Sequence, residues 1–156
     1  MTSRRQFLAL AGGALAAPAA MAQLDPNIAV KRRVALQNAI RKVVGEAELK
    51  TGKVKLEIPP LIDNGNAVPL TVTVDSPMTA AEHVKAIHVL TEKNPQPFVL
   101  AAHLGPRAGA ARIATRARIA DTGQVIAIAE LSDGSFWSHT VSVIVTLSAC
   151  LEDGLI

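Results

Sequence analysis

One residue in the chain carries chemistry that no other duplicates: Cys150, the single cysteine among 156 residues. A thiolate is a nucleophile and can bond a sulfur species covalently, provided it is accessible and partly ionised. Cysteine is also a small hydrophobe that cores bury, so position alone leaves both readings open. A single cysteine makes no disulfide within its own chain. The four histidines are His83, His88, His103 and His139. His83 and His88 stand five apart, which places them on opposite faces of a strand, and no CxxC or HExxH accompanies them. All four read as surface or packing histidines, so no metal site is assigned. Arg112, Arg116 and Arg118 share one face of a predicted strand. Such a ladder meets an anion or, more simply, is the solvated face of an edge strand. There is no P-loop, no GxGxxG and no GxSxG, and no catalytic residue is assigned.

The elements that must position Cys150 are short and rich in β-formers. Seven alternating or apolar runs are predicted as strands: Val54 to Ile58, Val68 to Val74, Val84 to Leu90, Phe98 to Leu104, Ala111 to Ala120, Gln124 to Leu131 and Trp137 to Leu147. Asp121-Thr122-Gly123 and Asp133-Gly134 are predicted to join the last three as hairpins. Seven strands with turns every eight to twelve residues give an all-β, immunoglobulin-like β-sandwich. Before it, Pro26 to Val44 carries apolar residues at Val30, Val34, Leu36, Ile40, Val43 and Val44 with basic residues between. That spacing predicts a short N-terminal helix packed by one side and ended by Gly45. The expected organisation is a leader at 1–22, a helical segment at 23–52, a sandwich at 53–147 and a tail at 148–156 bearing Cys150.

The leader reading rests on Arg4-Arg5 directly before an apolar run, and on the small-x-small pattern Ala20-Met21-Ala22. The run is shorter than the roughly 20 residues a membrane-spanning helix needs. A twin-arginine (Tat) signal cleaved after Ala22 is therefore expected, with the mature protein soluble in the periplasm. Removing Arg4 and Arg5 leaves 14 basic residues against 13 acidic ones. A near-neutral domain has no broad basic surface for nucleic acid, and aromatics at 3% leave few rings for base stacking.

Several motifs then fall in a distinctive order. Asp63-Asn64-Gly65-Asn66-Ala67-Val68-Pro69 comes first, followed by Ser76-Pro77-Met78 and Lys93-Asn94-Pro95-Gln96-Pro97. Thr115-Arg116-Ala117-Arg118-Ile119-Ala120, Val125 to Glu130 and Asp133-Gly134 complete the series. Together they resemble the SoxY family of sulfur-oxidation carrier proteins, from about Ala35 to Cys150. The resemblance implies an immunoglobulin-like sandwich paired with a SoxZ-like subunit as a heterodimer. It also implies a terminal cysteine that carries a thiosulfate-derived sulfur species, here Cys150 as the attachment point. A haem protein, a hydrolase and a dehydrogenase of the Sox pathway would act on that cargo. The carrier itself has no catalytic centre and no cofactor.

The chain departs from the family around the cysteine. Thiosulfate carriers end in Gly-Gly-Cys-Gly-Gly, a flexible arm that enters narrow partner sites, and glycine suits that task. Here Ser148, Ala149 and Leu151 flank Cys150, and none of its four nearest neighbours is glycine. Leu151 is bulky beside the sulfur. Glu152 and Asp153 disfavour the thiolate and repel an anionic adduct, an effect that salt screens. Two readings follow: a carrier with wider partner sites, or a non-carrier SoxY-like scaffold subunit in which Cys150 stays unloaded.

Overall fold

The computed structural model describes residues 27–147. It places a helix on one face of a two-sheet sandwich. Helix α1 spans Ile28–Val44. Nine strands follow: β1 Leu49–Thr51, β2 Val54–Glu57, β3 Leu61–Ile62, β4 Val68–Val74, β5 Val84–Thr91, β6 Phe98–His103, β7 Arg112–Ala117, β8 Gly123–Leu131 and β9 Phe136–Val145. The larger sheet runs β1-β9-β8-β5-β6, with β3 also on β9, and the smaller runs β2-β4-β7.

All seven predicted strands are present, and β1 and β3 are additions too short for a periodicity to reveal. Both pair in parallel with β9. The chain thus alternates between the sheets from β1 to β4, closing the side of the sandwich along β9. One seam contact crosses there: the Leu56 backbone N–H donates to His139 Nδ1 at 3.0 Å.

Alternation explains the layering. In β8, Val125, Ala127, Ala129 and Leu131 join the core between the sheets. Ile126 and Ile128 point the other way, into a second cluster with Leu90 and the helix residues Leu36 and Ala39. A strand buried on both faces reads as a continuous apolar run, as Gln124 to Leu131 does. In β2, β4 and β7 only the inner face is covered, so Lys55, Glu57, Arg112 and Arg116 are exposed.

Three expectations change. Asp121-Thr122-Gly123 is a crossover between sheets, because β7 pairs with β4 while β8 pairs with β5 and β9. Asp133-Gly134 is the hairpin expected, joining β8 to β9. In α1 only Leu36, Ala39, Ile40, Val43 and Val44 pack on the sheet; Val30 and Val34 are exposed. At about 100° per residue, Val34 lies some 160° around the helix from Leu36. Finally, β1 falls inside the stretch 23–52 expected to be helical. Gly45 ends α1 as expected, with φ of 60° and its N–H on Arg41 O.

Candidate functional site

Cys150 and its neighbours Ser148, Ala149 and Leu151 lie outside the described residues, as does the expected leader 1–22. What is described is the root from which they depart. β9 ends at Val145, and the chain is then held by side chains and loops from four directions. The Thr122 hydroxyl accepts the Val145 N–H at 2.9 Å and lies 3.4 Å from the Val145 carbonyl, to which it can donate. The Thr146 N–H donates to Ile62 O at 2.9 Å. The Thr146 hydroxyl donates to Asp63 O at 3.1 Å. The Leu147 carbonyl accepts from Gly65 N–H at 3.1 Å.

Gly65 is fixed in its turn. Its carbonyl accepts from Ile119 N–H at 2.8 Å, and Asn64 Oδ1 closes the loop by accepting from Asn66 N–H at 2.9 Å. That side-chain geometry is an Asx turn, in which asparagine substitutes for a backbone carbonyl. From the third side, Asn94 clamps the crossover that follows β7. Its Oδ1 accepts from Ala120 N–H at 2.7 Å and its Nδ2 donates to Arg118 O at 2.9 Å. Ile119 between them is fully buried in the core.

This collar is the described part of the chain that stands nearest the cysteine in sequence. Three peptide bonds separate Leu147 from Cys150, a reach of at most about 11 Å at ~3.8 Å each. The motifs that carried the resemblance divide by position. Asn64-Gly65, Asn94 and Arg118-Ile119-Ala120 build the collar. Ser76-Pro77-Met78 and Asp133-Gly134 stand at the opposite end, where His83 N–H donates to Ser132 Oγ at 3.1 Å. Thr122 and Thr146 were missed in the sequence. A threonine that bonds backbone 23 or 83 residues away leaves no local signal.

The remaining candidates resolve into structural roles. His83 precedes β5 instead of sharing a strand with His88, and its Nδ1 lies 3.1 Å from Thr79 O. His88 is half-buried with Nδ1 lacking a hydrogen-bond partner among the described residues. Burial holds its pKa below the ordinary 6.5; His103 adds to that and Glu130 opposes it. His88 and His103 meet edge to face, with ring centroids 6.3 Å apart. Among the described residues no three His, Cys, Asp or Glu side chains gather as a metal site would require. Arg112 and Arg116 are exposed on β7, an edge strand, and Arg118 follows its end. They are the solvated face.

Comparison with known proteins agrees with this geometry. The family described as "Sulfur oxidation protein SoxY" matches residues 40–150, so the match ends on Cys150. No curated protein sequence matches significantly. Among solved structures, the chain is similar to the sulfur carrier protein SoxY from Chlorobium limicola f thiosulfatophilum, with a TM-score of 0.61 and 23% identity over 74% of this chain and 99% of that one. It is also similar to a superoxide reductase (neelaredoxin) from Ignicoccus hospitalis, with a TM-score of 0.53 and 17% identity over 69% and 86% of the two chains. A putative superoxide reductase from Thermotoga maritima gives 0.52 and 18% over 64% and 93%. At these identities the likenesses are of fold.

Proposed function

The chain belongs to the SoxY family of sulfur-oxidation proteins, and from that premise we propose that it is a periplasmic sulfur carrier whose cargo is bonded to Cys150. The observation that carries the reading is the family match running through the sandwich to residue 150, on a chain whose only cysteine stands there. The collar supports it physically. Backbone held at Leu147 fixes the point from which three further residues lead to Cys150.

The chemistry needs no catalytic group from this chain. The Cys150 thiolate bonds the outer sulfur of thiosulfate, and two electrons pass to a haem acceptor. The product is a cysteine S-thiosulfonate. Water attack on its sulfonate sulfur releases sulfate and leaves the persulfide anion, with two protons set free. In this reading the chain is a substrate carrier, not an enzyme. It is exported by the Tat route, loses residues 1–22, and works as a heterodimer with a SoxZ-like subunit.

A second reading is favoured by one observation, the sequence Leu151-Glu152 where carriers have two glycines. There the protein is a scaffold subunit and Cys150 stays a free thiol. Intact mass of protein recovered from cells grown on thiosulfate, with and without reductant, separates the two. A reducible sulfur or thiosulfate increment, lost in Cys150→Ser, is the result expected of a carrier. An unmodified thiol, alongside a loaded glycine-armed carrier in the same cells, would leave the scaffold reading standing.

A further inference from the structure

Six large apolar side chains are exposed among the described residues, and three of them gather at the collar. Leu61 and Ile144 are register partners on β3 and β9. They are 59% and 58% exposed, and Leu147, also 58% exposed, follows three residues after Ile144. Their neighbours Ile62, Val143 and Val145 belong to the core between the sheets. By alternation Leu61 and Ile144 therefore face outward. β3 has two residues and, among the described residues, pairs only with β9. A free strand edge beside exposed branched side chains is a surface that proteins usually cover.

We propose that this patch is the docking site of the chain's own residues 151–156, with Leu155 and Ile156 seated on Leu61 and Ile144. The length of chain beyond Leu147 and its pattern carry the argument. Leu155 is eight residues beyond Leu147, a span of about 27 Å when extended. Ile144 is three strand residues before Leu147, about 10 Å away. The segment can therefore run out and return, and Asp153-Gly154 is a turn-forming pair placed on the return limb. An excursion that leaves at Leu147 and lands at Leu155 has its midpoint at Leu151, beside Cys150. Glu152 and Asp153 fall before the apolar pair, so the charges need not be buried with it. A tethered segment also meets the patch at an effective concentration in the millimolar range, which a free partner seldom matches.

The docking itself holds whether or not Cys150 takes a cargo.

The test uses the full chain carrying Cys150→Ser, so its outcome is independent of sulfur loading. Two cysteine pairs are compared, Leu61→Cys with Leu155→Cys, and Phe98→Cys with Leu155→Cys. Phe98 is a fair control because it is exposed at 43% and begins β6, whose neighbour β5 ends at Thr91 close to the collar. In sheet order it stands three strands from β9, about 14 Å away and within the tether's span. Under mild oxidation the Leu61 pair is expected to close an intramolecular disulfide at least about tenfold faster than the Phe98 pair. Adding Ile144→Ser is expected to bring the two rates together. Equal rates without that change would overturn the proposal. Predominantly intermolecular disulfides would overturn it too, assigning the patch to a second copy.

Discussion

The Thr122 hydroxyl and the Val145 backbone form a two-way contact: Oγ1 accepts the Val145 N–H at 2.9 Å and lies 3.4 Å from the Val145 carbonyl. Thr122 belongs to the crossover between sheets, Val145 to the last residue of β9. The contact stands where the next ladder bond of β9 would be expected. Thr122→Val keeps the shape and leaves a buried N–H without its acceptor. A loss of about 1–3 kcal/mol is expected, with most of it restored in Thr122→Ser. Denaturant unfolding measures the loss. Hydrogen exchange at the Val145 amide should rise by more than exchange in β5, because the opening is local to the arm root.

Asn94 makes a graded case. Its Oδ1 and Nδ2 hold both sides of Ile119 through Ala120 N–H and Arg118 O. Asn94→Asp keeps the acceptor and loses the donor, whereas Asn94→Ala loses both. We expect Ala to cost about 1–3 kcal/mol and Asp to cost less. Equal costs in the two variants would show that the bond from Ala120 N–H to Oδ1, which Asp retains, contributes nothing.

The sequence was informative wherever burial imposes a period. β4 reads Val68-Pro69-Leu70-Thr71-Val72-Thr73-Val74, and its residues at 68, 70, 72 and 74 are the buried ones. β8 reads as a continuous apolar run because a helix covers its outer face. Illegible were features fixed by partners far away in sequence. β3 is two residues whose only reason to be a strand is β9, more than 80 residues on. Asp121-Thr122-Gly123 looks like any tight turn, and only the pairing of β7 with β4 makes it a crossover. At the site, the resemblance motifs named Asn64 and Asn94 without giving them a task. The collar supplied one, joining the segments that follow β3, β5 and β7 around the end of β9, the strand that leads to Cys150.

Gly134 tests the one hairpin that alternation and turn chemistry predicted correctly. Its φ is 81°, and a Cβ there would meet nothing within 4 Å. The cost of Gly134→Ala is therefore conformational, about 1–2 kcal/mol. Asp133 supports the same turn, accepting from Ser135 N–H at 2.8 Å and Ser135 Oγ at 2.6 Å. Those bonds hold its carboxyl below the ordinary 3.8. Gly134→Asn, which tolerates the left-handed region better, is expected to cost less than Ala. A thermal or denaturant midpoint series of the three proteins decides it.

His88 gives a pH dependence with a definite sign. Burial, then the neighbouring His103, hold its imidazole below 6.5 in the folded protein. As pH falls, the unfolded chain takes up this proton first. Unfolded protein binds more protons in that window, so stability declines from 6.5 downward and levels off below the folded value. His88→Phe keeps a ring and binds no proton. Unfolding free energies followed from about pH 8 to about pH 5 should fall less steeply for this variant than for the parent. An unchanged slope would assign the pH dependence to other groups.

The steric reading of the arm gives the sharpest functional contrast. Leu151 stands next to the thiol where glycine-armed carriers have no side chain, and the collar limits how far the sulfur can be carried past the sandwich. A tunnel shaped for glycine must then admit a leucine together with the cysteine. Leu151→Gly removes that obstruction without touching the collar, so the fold and its unfolding midpoint should not change. Offered to a haem enzyme that loads glycine-armed carriers, the variant should be loaded at least several-fold faster than the parent. Glu152→Gln with Asp153→Asn tests charge instead, and its effect should shrink as salt is raised. If the charge variant gains more than Leu151→Gly at low salt, the barrier to loading is electrostatic and the steric account fails.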